Sequence, residues 1–333
     1  MNKPIALDLF CGVGGASLGL QQAGFDTYSI EIDKDAADIH RSNLGECQQA
    51  NILDIDPLHI KYTIGTPELF WLSPPCQAHS KAGMGKRKSR TDGEILNELI
   101  QKSALGYYLP SKDWFHVLRS PYVVLENVPE YRKAQCFRQW CCHMTNLGYK
   151  ITYEILDSSD FGLATKRKRL FAIATLVEFP KVLIGTKQIG WYEVIEHLLS
   201  DMTDSELTLS QVNYLEANPV ISDKAYLIER SGYYNGKPKI ALADEPLWTI
   251  RKSIGSDSKG ANRSKFINVV MSDGSVKDLS VQGLGMLQGF TEDYQWGDVA
   301  ASVAGIGNSV CPGVAKAIGE GIIECFVNNI PKE

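Results

Sequence analysis

Residues 5–20 carry the sequence IALDLFCGVGGASLGL. The apolar run Ile5–Phe10 predicts a buried strand, and the spacing of apolar residues over 17–23 predicts a helix. Between them lie Gly12, Gly14 and Gly15. Glycines allow positive φ and let a ligand approach the backbone closely, while the first turn of a helix presents unpaired amides. The stretch therefore predicts a strand, a tight turn and a helix arranged around a ligand.

A carboxylate at the end of the next predicted strand extends this interpretation. The strand covers Thr27–Glu31, and Glu31 stands about 20 residues after the turn, where an acid can hydrogen-bond ribose hydroxyls. Ser17 occupies the third glycine position of a Gly-x-Gly-x-x-Gly pattern, which makes a pyrophosphate cofactor less favoured. The sequence thus indicates a cofactor that carries a nucleoside.

Short apolar runs and helical patterns continue to alternate along the chain. The predicted strands are 5–10, 27–31, 69–73, 122–126, 150–156 and 169–175, and the predicted helices are 17–23, 34–42, 95–106, 137–147 and 314–327. This order predicts an α/β fold with a doubly wound, mostly parallel sheet of Rossmann-like type. We expect residues 1–175 and 301–333 to form the cofactor-binding domain and residues 176–300 to form a second, smaller domain.

The composition is that of an ordinary globular protein. The chain has 333 residues, of which 44% are hydrophobic, and it has no apolar run of the roughly 20 residues that span a bilayer. No signal-peptide pattern opens the sequence, so a cytoplasmic location is expected. The eight cysteines are irregularly spaced, which favours free thiols. The cluster Cys136, Cys141, Cys142 and His143 lacks a Cys-x-x-Cys pair, so no metal site is expected.

The net charge of −5 argues against a protein that binds nucleic acid over its whole surface. It is compatible with local basic patches. Two are present, at residues 81–90 and at residues 166–169. Charge runs are usually solvated faces, and the first patch is of interest because it directly follows a candidate nucleophile.

That candidate is Cys76, in the run Ser73-Pro74-Pro75-Cys76-Gln77. Two prolines stiffen the turn that follows the predicted strand 69–73. Taken alone, a buried cysteine is most often a small core hydrophobe. However, Asp8, Glu31, Cys76 and Glu126 all lie at or just beyond the carboxyl ends of successive predicted strands, where doubly wound folds bind ligands. One active site explains all four placements.

The motif order resembles that of the cytosine-5 DNA methyltransferase family of prokaryotes and phages. The six matching blocks are residues 8–15, 73–80, 126–128, 166–169, 287–290 and 307–310. By this resemblance the fold is a methyltransferase domain with a target-recognition domain, the cofactor is S-adenosyl-L-methionine and the substrate is a flipped-out cytosine in duplex DNA.

The resemblance also implies roles for individual residues. Cys76 would add to C6 of the base, Glu126 would hold N3 and N4, and Arg169 would contact O2. The catalytic set it implies is Cys76, Glu126, Arg167 and Arg169. The cofactor-binding set is Asp8, Phe10, Cys11, Gly12, Gly14, Gly15, Glu31, Ile32, Asn51, Ile52, Pro74, Asn308 and Ser309. The substrate-binding set is Gln77, Ser80, Lys81, Arg87 and Asn127.

Several positions depart from the usual family residues. The departures are Asn51, His79, Thr165, Gly283 and Met286. The closest alternative is cytosine-5 methylation of tRNA, which members with a Ser-Pro-Pro-Cys-Gln block perform, and Trp248 with Thr249 favours DNA over it. A non-catalytic nucleic-acid-binding relative and an NAD-dependent oxidoreductase are further alternatives. We also expect the protein to be a monomer and to have a cognate restriction endonuclease as a partner in the same system.

Overall fold

The computed structural model describes residues 3–75, 113–185, 187–230, 237–250 and 267–328. The chain divides into two compact units. The first comprises Met1–Leu156, Lys168–Leu183 and Val314–Glu333, and the second comprises Asp157–Arg167 and Ile184–Gly313. Residues 157–167 and 301–313, which the sequence assigned to the cofactor-binding domain, therefore group with the second unit.

The first unit is built on a seven-stranded sheet. Its strands are β1 (Ile5–Leu9), β2 (Asp26–Glu31), β3 (Cys47–Gln49), β4 (Leu69–Leu72), β5 (Tyr122–Asn127), β6 (Lys150–Asp157) and β8 (Lys168–Thr175). Its helices are α1 (Gly15–Ala23), α2 (Lys34–Leu44), α3 (Pro57–Ile64), α4 (Trp114–Leu118), α5 (Gln135–Asn146) and α10 (Pro312–Asn328). The strand order is β3-β2-β1-β4-β5-β8-β6.

The pairing confirms the predicted fold class. From β3 through β2, β1 and β4 to β5, each adjacent pair of strands is parallel, and β8 pairs with β5 in the antiparallel direction. The order reverses between β1 and β4, so the carboxyl ends of these two strands border the crevice in which open α/β sheets bind ligands. Both strands are almost wholly buried, as expected for a sheet covered by helices on both faces.

The second unit contains a separate four-stranded sheet of order β10-β9-β12-β13 and a two-stranded pair of β7 and β11. Its strands are β7 (Thr165–Lys166), β9 (Tyr226–Glu229), β10 (Ile240–Ala241), β11 (Leu247–Trp248), β12 (Ile267–Val270) and β13 (Val276–Asp278). Its helices are α6 (Trp191–Ile195), α7 (Leu209–Ala217), α8 (Val281–Gln288) and α9 (Val299–Asn308). A core that includes Trp191, Leu227, Leu247 and Ile306 holds it together.

Local physical causes account for most differences from the sequence prediction. Strand β3 is short and polar at an edge, so it offers little apolar signal. Residues 157–167 join the second unit because β7 pairs with β11, where Thr165 and Leu247 are register partners. The predicted helix 95–106 lies outside the described residues. Within the described parts of the chain, no helix is long and apolar enough to cross a membrane.

Candidate active site

The glycine turn after β1 adopts the conformation that its composition predicts. Gly12 and Gly14 have φ values of 56° and 93°, and Phe10 also has positive φ, at 63°. The amides of Phe10 and Cys11 both donate to the carbonyl of Ile30, at 3.0 and 3.3 Å. A side chain at positive φ, such as that of Phe10, strains the backbone. The two hydrogen bonds to Ile30 in β2 offset this strain and stabilise the turn.

Glu31 connects the turn to the end of β2. Its Oε2 accepts from the amide of Gly12 at 2.9 Å. Its Oε1 accepts from the amides of Ile32 and Asp33, at 2.8 and 2.9 Å. Three backbone donors therefore hold a carboxylate that has about four acceptor positions. The geometry keeps Glu31 fixed and leaves it able to accept a ribose hydroxyl.

Helix α1 offers a second feature suited to the proposed cofactor. Among the described residues, no side chain caps its N-terminus at Gly14. Unpaired amides and the positive end of the helix dipole favour a carboxylate there, such as the carboxylate of a methionine group. Together with Glu31, this end of the sheet fits both halves of S-adenosylmethionine.

The other predicted cofactor residues of the first unit have different surroundings. Ile32 is 61% exposed, whereas Ile52 is buried in the core. Asn51 caps the short 3-10 helix Ile52–Asp54, its Oδ1 accepting from the amide of Leu53 at 3.2 Å. Burial raises the pKa of the Cys11 thiol, whose Sγ lies 3.5 Å from Sγ of Cys47. Cys11 is therefore a core thiol beneath the turn.

The turn after β4 is held from both neighbouring strands. The amide of Ser73 donates to the carbonyl of Leu9 in β1 at 3.3 Å. From β5, Nδ2 of Asn127 donates to the carbonyl of Pro74 at 3.1 Å, and Oδ1 of Asn127 accepts from the amide of Val128. Both ends of the side-chain amide of Asn127, which the resemblance assigns to substrate binding, contact backbone in the structure. The described part of this turn ends at Pro75. Five predicted site residues lie outside the described residues: Cys76, Gln77, Ser80, Lys81 and Arg87.

Glu126, the catalytic acid predicted at the end of β5, forms an ion pair with an arginine from β8. Oε1 of Glu126 lies 3.3 Å from Nε of Arg169, and both side chains are largely buried. The antiparallel register places Glu126 opposite Phe171, so the neighbouring start of β8 can supply the arginine. Burial strengthens such a pair because water screens it poorly. The structure thus brings together two of the four predicted catalytic residues.

Arg167 has other contacts, although it lies two positions from Arg169. Its guanidinium is buried in the second unit and donates to the carbonyls of Ile250 and Gly307, at 2.9 and 3.1 Å. The structure places Asn308 and Ser309 in this unit as well, at the end of α9, with Ser309 Oγ donating to the carbonyl of Ile306 at 2.8 Å. Through its two hydrogen bonds, the Arg167 side chain links the segment after β11 to helix α9.

Replacing Arg167 by methionine is expected to lower the free energy of unfolding by about 3 kcal/mol, because two buried carbonyls lose charged hydrogen-bond donors. Chemical denaturation with circular dichroism measures this. Lys168→Met is the matched control, since Lys168 is exposed. Equal stability of the two variants would exclude an anchoring role for Arg167.

Glu31→Gln is expected to weaken S-adenosylmethionine binding by about 10- to 100-fold. In glutamine, an NH2 group replaces one carboxylate oxygen and faces backbone N–H groups that need an acceptor. The substitution also removes the negative charge near the ribose. Isothermal titration calorimetry measures the change. Glu46→Gln, at an exposed position, should bind like wild type, and wild-type affinity in Glu31→Gln would contradict the assignment.

Sequence reasoning assigned no role to Ser17 beyond a replaced glycine. The structure shows its Oγ donating to Oδ2 of the buried Asp8 at 2.6 Å. The sequence did hold a signal for this hydrogen bond. Ser17 is a polar residue in the first turn of a helix, and that helix packs on a strand with a buried acid. The link between Asn127 and Pro74 had no such signal, because it joins residues that are 53 positions apart.

Comparison with known proteins is consistent with this arrangement. A family model described as C-5 cytosine-specific DNA methylase matches residues 6–324. The type II methyltransferase M.AplI of Arthrospira platensis is 24% identical over 325 residues, which are 96% of this chain and 86% of that protein. The type II methyltransferase M.NlaX of Neisseria lactamica is 26% identical over 347 residues, 94% of each chain.

Solved structures show the same fold. The Entamoeba histolytica methyltransferase EhMeth aligns with a TM-score of 0.67 at 15% identity, covering 98% of this chain and 99% of that one. Because the family match covers nearly the whole chain, the chain belongs to the C-5 cytosine-specific DNA methylases, which transfer a methyl group from S-adenosylmethionine to C5 of cytosine in DNA.

Proposed function

We propose that the chain methylates a flipped-out cytosine in duplex DNA through a covalent bond between Cys76 Sγ and C6 of the base. The observation that carries this proposal is the hydrogen bond from Asn127 to the carbonyl of Pro74. It fixes the backbone two residues before Cys76 and comes from the residue that follows Glu126. The acid on β5 and the described part of the turn that leads to the nucleophile are thereby held together.

The chemistry explains the residue types. C5 of cytosine is a weak nucleophile, and addition of the Cys76 thiolate at C6 makes C5 electron-rich. Glu126 hydrogen-bonds N3 and N4 of the ring, held in orientation by Arg169, which also contacts O2. S-adenosylmethionine supplies an electrophilic methyl group when bound. Loss of the C5 proton to a base then lets the Cys76–C6 bond break, which restores the aromatic ring and the thiolate.

Cofactor and polymer are held by different parts of the chain. Asp8, Glu31 and the first turn of α1 support the cofactor. Because C6 is inaccessible in a stacked duplex, the base is extruded before attack. Lys81 and Arg87 neutralise phosphates, so binding weakens as salt rises. Residues 176–300 carry target recognition.

We extend the proposal to the cellular setting. The relatives named above are type II methyltransferases, which supports a restriction-modification system with a cognate endonuclease acting on the same site. The enzyme works as a monomer in the cytoplasm of a prokaryotic or phage-infected cell.

Duplex DNA in which 5-fluorocytosine replaces cytosine tests the covalent step. Fluorine at C5 cannot leave as a proton does, so the adduct should accumulate as a denaturant-resistant protein–DNA complex in the presence of S-adenosylmethionine. Peptide mapping should place the modification on Cys76, and Cys142→Ala, which removes an exposed cysteine, should not reduce the yield. A complex mapped to another residue, or none, would contradict the proposal.

A further inference from the structure

A cluster of four buried polar side chains lies next to the glycine turn in the first unit. Asp8, Ser17, Ser29 and His40 are each at most 1% exposed. They come from β1, α1, β2 and α2, and Asp8 and Ser29 are register partners in the parallel pair β1–β2. Polar groups buried in this way destabilise a core unless they are hydrogen-bonded.

The hydrogen bonds of the cluster point toward Asp8. Ser17 Oγ donates to Asp8 Oδ2 at 2.6 Å. Ser29 Oγ and His40 Nε2 each lie 3.1 Å from Ser17 Oγ. A hydroxyl has one proton and two acceptor positions. With its proton directed to Asp8, Ser17 can accept from Ser29 and from the Nε2–H tautomer of His40.

The second oxygen of Asp8 is left unsatisfied. Oδ1 is buried and has no hydrogen-bond partner among the described residues. An ionised carboxylate with one unpaired buried oxygen is costly, and a nearby cation or donor removes that cost. Asp8 lies two residues before Phe10 and the glycine turn, where we place a cofactor with both a sulfonium and an ammonium group.

We propose that Ser17, Ser29 and His40 are positioning residues that hold Asp8 ready to lose its proton when S-adenosylmethionine binds, so that cofactor affinity depends on the ionisation of Asp8. The inference rests on the proposed cofactor site. When the cationic cofactor binds, the O–H bond of the Asp8 carboxyl breaks, the proton passes to solvent, and the resulting carboxylate accepts a hydrogen bond from the Ser17 hydroxyl, which keeps its own proton.

The ionisation properties of the cluster support this coupling. Burial raises the pKa of Asp8 to about 7, the charge of Glu31 adds to the increase, and the hydrogen bond from Ser17 opposes it. Burial lowers the pKa of His40 to about 4, so His40 remains neutral near pH 7 and can donate to Ser17. Asp8 is therefore partly protonated at neutral pH in the free protein.

Other charged or titratable groups lie near the cluster. Among the described residues they are Glu31 at the end of β2, Cys11 in the turn, Cys47 in β3 and Arg41 in α2. Glu31 is held by three backbone amides, and Arg41 donates to the carbonyl of Cys47 and pairs with Asp38. Burial raises the pKa of Cys11, which keeps this thiol neutral. Strand β4 contributes Trp71, the uncharged register partner of Asp8.

The dissociation constant of S-adenosylmethionine, measured by calorimetry from about pH 5.5 to about pH 9, tests the coupling. Below the pKa of Asp8, binding must expel a proton, so affinity should fall by about tenfold for each pH unit of acidification. Above it, affinity should level off. Asp8→Asn should remove this dependence. Ser17→Ala, which deletes the donor to the carboxylate, should move the midpoint upward by about one pH unit.

A pair of matched variants at His40 separates hydrogen bonding from packing. His40→Leu removes the donor to Ser17 and should shift the midpoint upward, whereas His40→Gln, which restores an N–H, should return it to the wild-type value. Circular dichroism at each pH confirms folding, and the His40 pair tests the same step if Ser17→Ala does not fold.

A wild-type affinity that is independent of pH, or a Ser17→Ala profile that matches wild type, would overturn the coupling but not the proposed methyl transfer. Failure of the wild type to bind S-adenosylmethionine at any pH would overturn the proposed cofactor site as well.

Discussion

Cys76→Ala is expected to abolish methyl transfer to DNA, lowering the rate by about five orders of magnitude or more. The thiolate is the group that activates C5, and alanine has no nucleophilic atom with which to add to C6. Binding of S-adenosylmethionine should be unchanged, because Glu31 and the turn after β1 do not depend on the thiol. Single-turnover transfer of tritiated methyl measures the rate.

The matched control for this substitution is Cys142→Ala, which changes an exposed cysteine on α5. Its rate should equal that of wild type. Residual transfer in Cys76→Ala at more than about one hundredth of the wild-type rate would mean that another group activates the base, and the covalent mechanism would have to be abandoned.

Glu126→Gln is expected to reduce the rate of methyl transfer by about 100- to 1,000-fold. The carboxyl is held by Arg169 at 3.3 Å, so the variant keeps the shape of the side chain but loses its charge and its ability to carry a proton. The effect should appear in kcat rather than in the KM for S-adenosylmethionine, since Glu126 contacts the base. Steady-state kinetics with saturating DNA separates the two.

Glu154→Gln on the exposed face of β6 serves as the control for the same chemical change. Arg169→Lys adds a second test, because lysine keeps the charge but lacks the planar group whose Nε now contacts Glu126. A Glu126→Gln enzyme with wild-type kcat would rule out a role for this carboxyl in the reaction.

The fold was predictable from sequence because its signals are local. The run 5–20 determines a strand, a turn and a helix, and buried strands such as Leu69–Leu72 and Tyr122–Asn127 are almost continuously apolar. Parallel order follows from the alternation of strands and helices. The sequence also indicated that Glu31 and Glu126 lie at strand ends, since both follow apolar runs directly.

Long-range contacts were the part that sequence could not supply. Arg167 and Arg169 are two positions apart, yet one donates to carbonyls at Ile250 and Gly307 while the other pairs with Glu126. Arg167 lies between β7 and β8, whereas Arg169 lies in β8. Side chains two positions apart in a continuous strand share a face, so strand alternation does not predict their separate partners. The hydrogen bonds of Asn127 and Ser17 likewise depend on how strands and helices pack together.

Transfer of tritiated methyl from S-adenosylmethionine to mixed-sequence duplex DNA, with bulk tRNA in parallel, tests the central claim most directly. We expect label in the duplex and background counts in tRNA, followed by bisulfite sequencing that locates the methylated cytosines within one short recognition sequence. Label in tRNA with none in DNA would contradict the account.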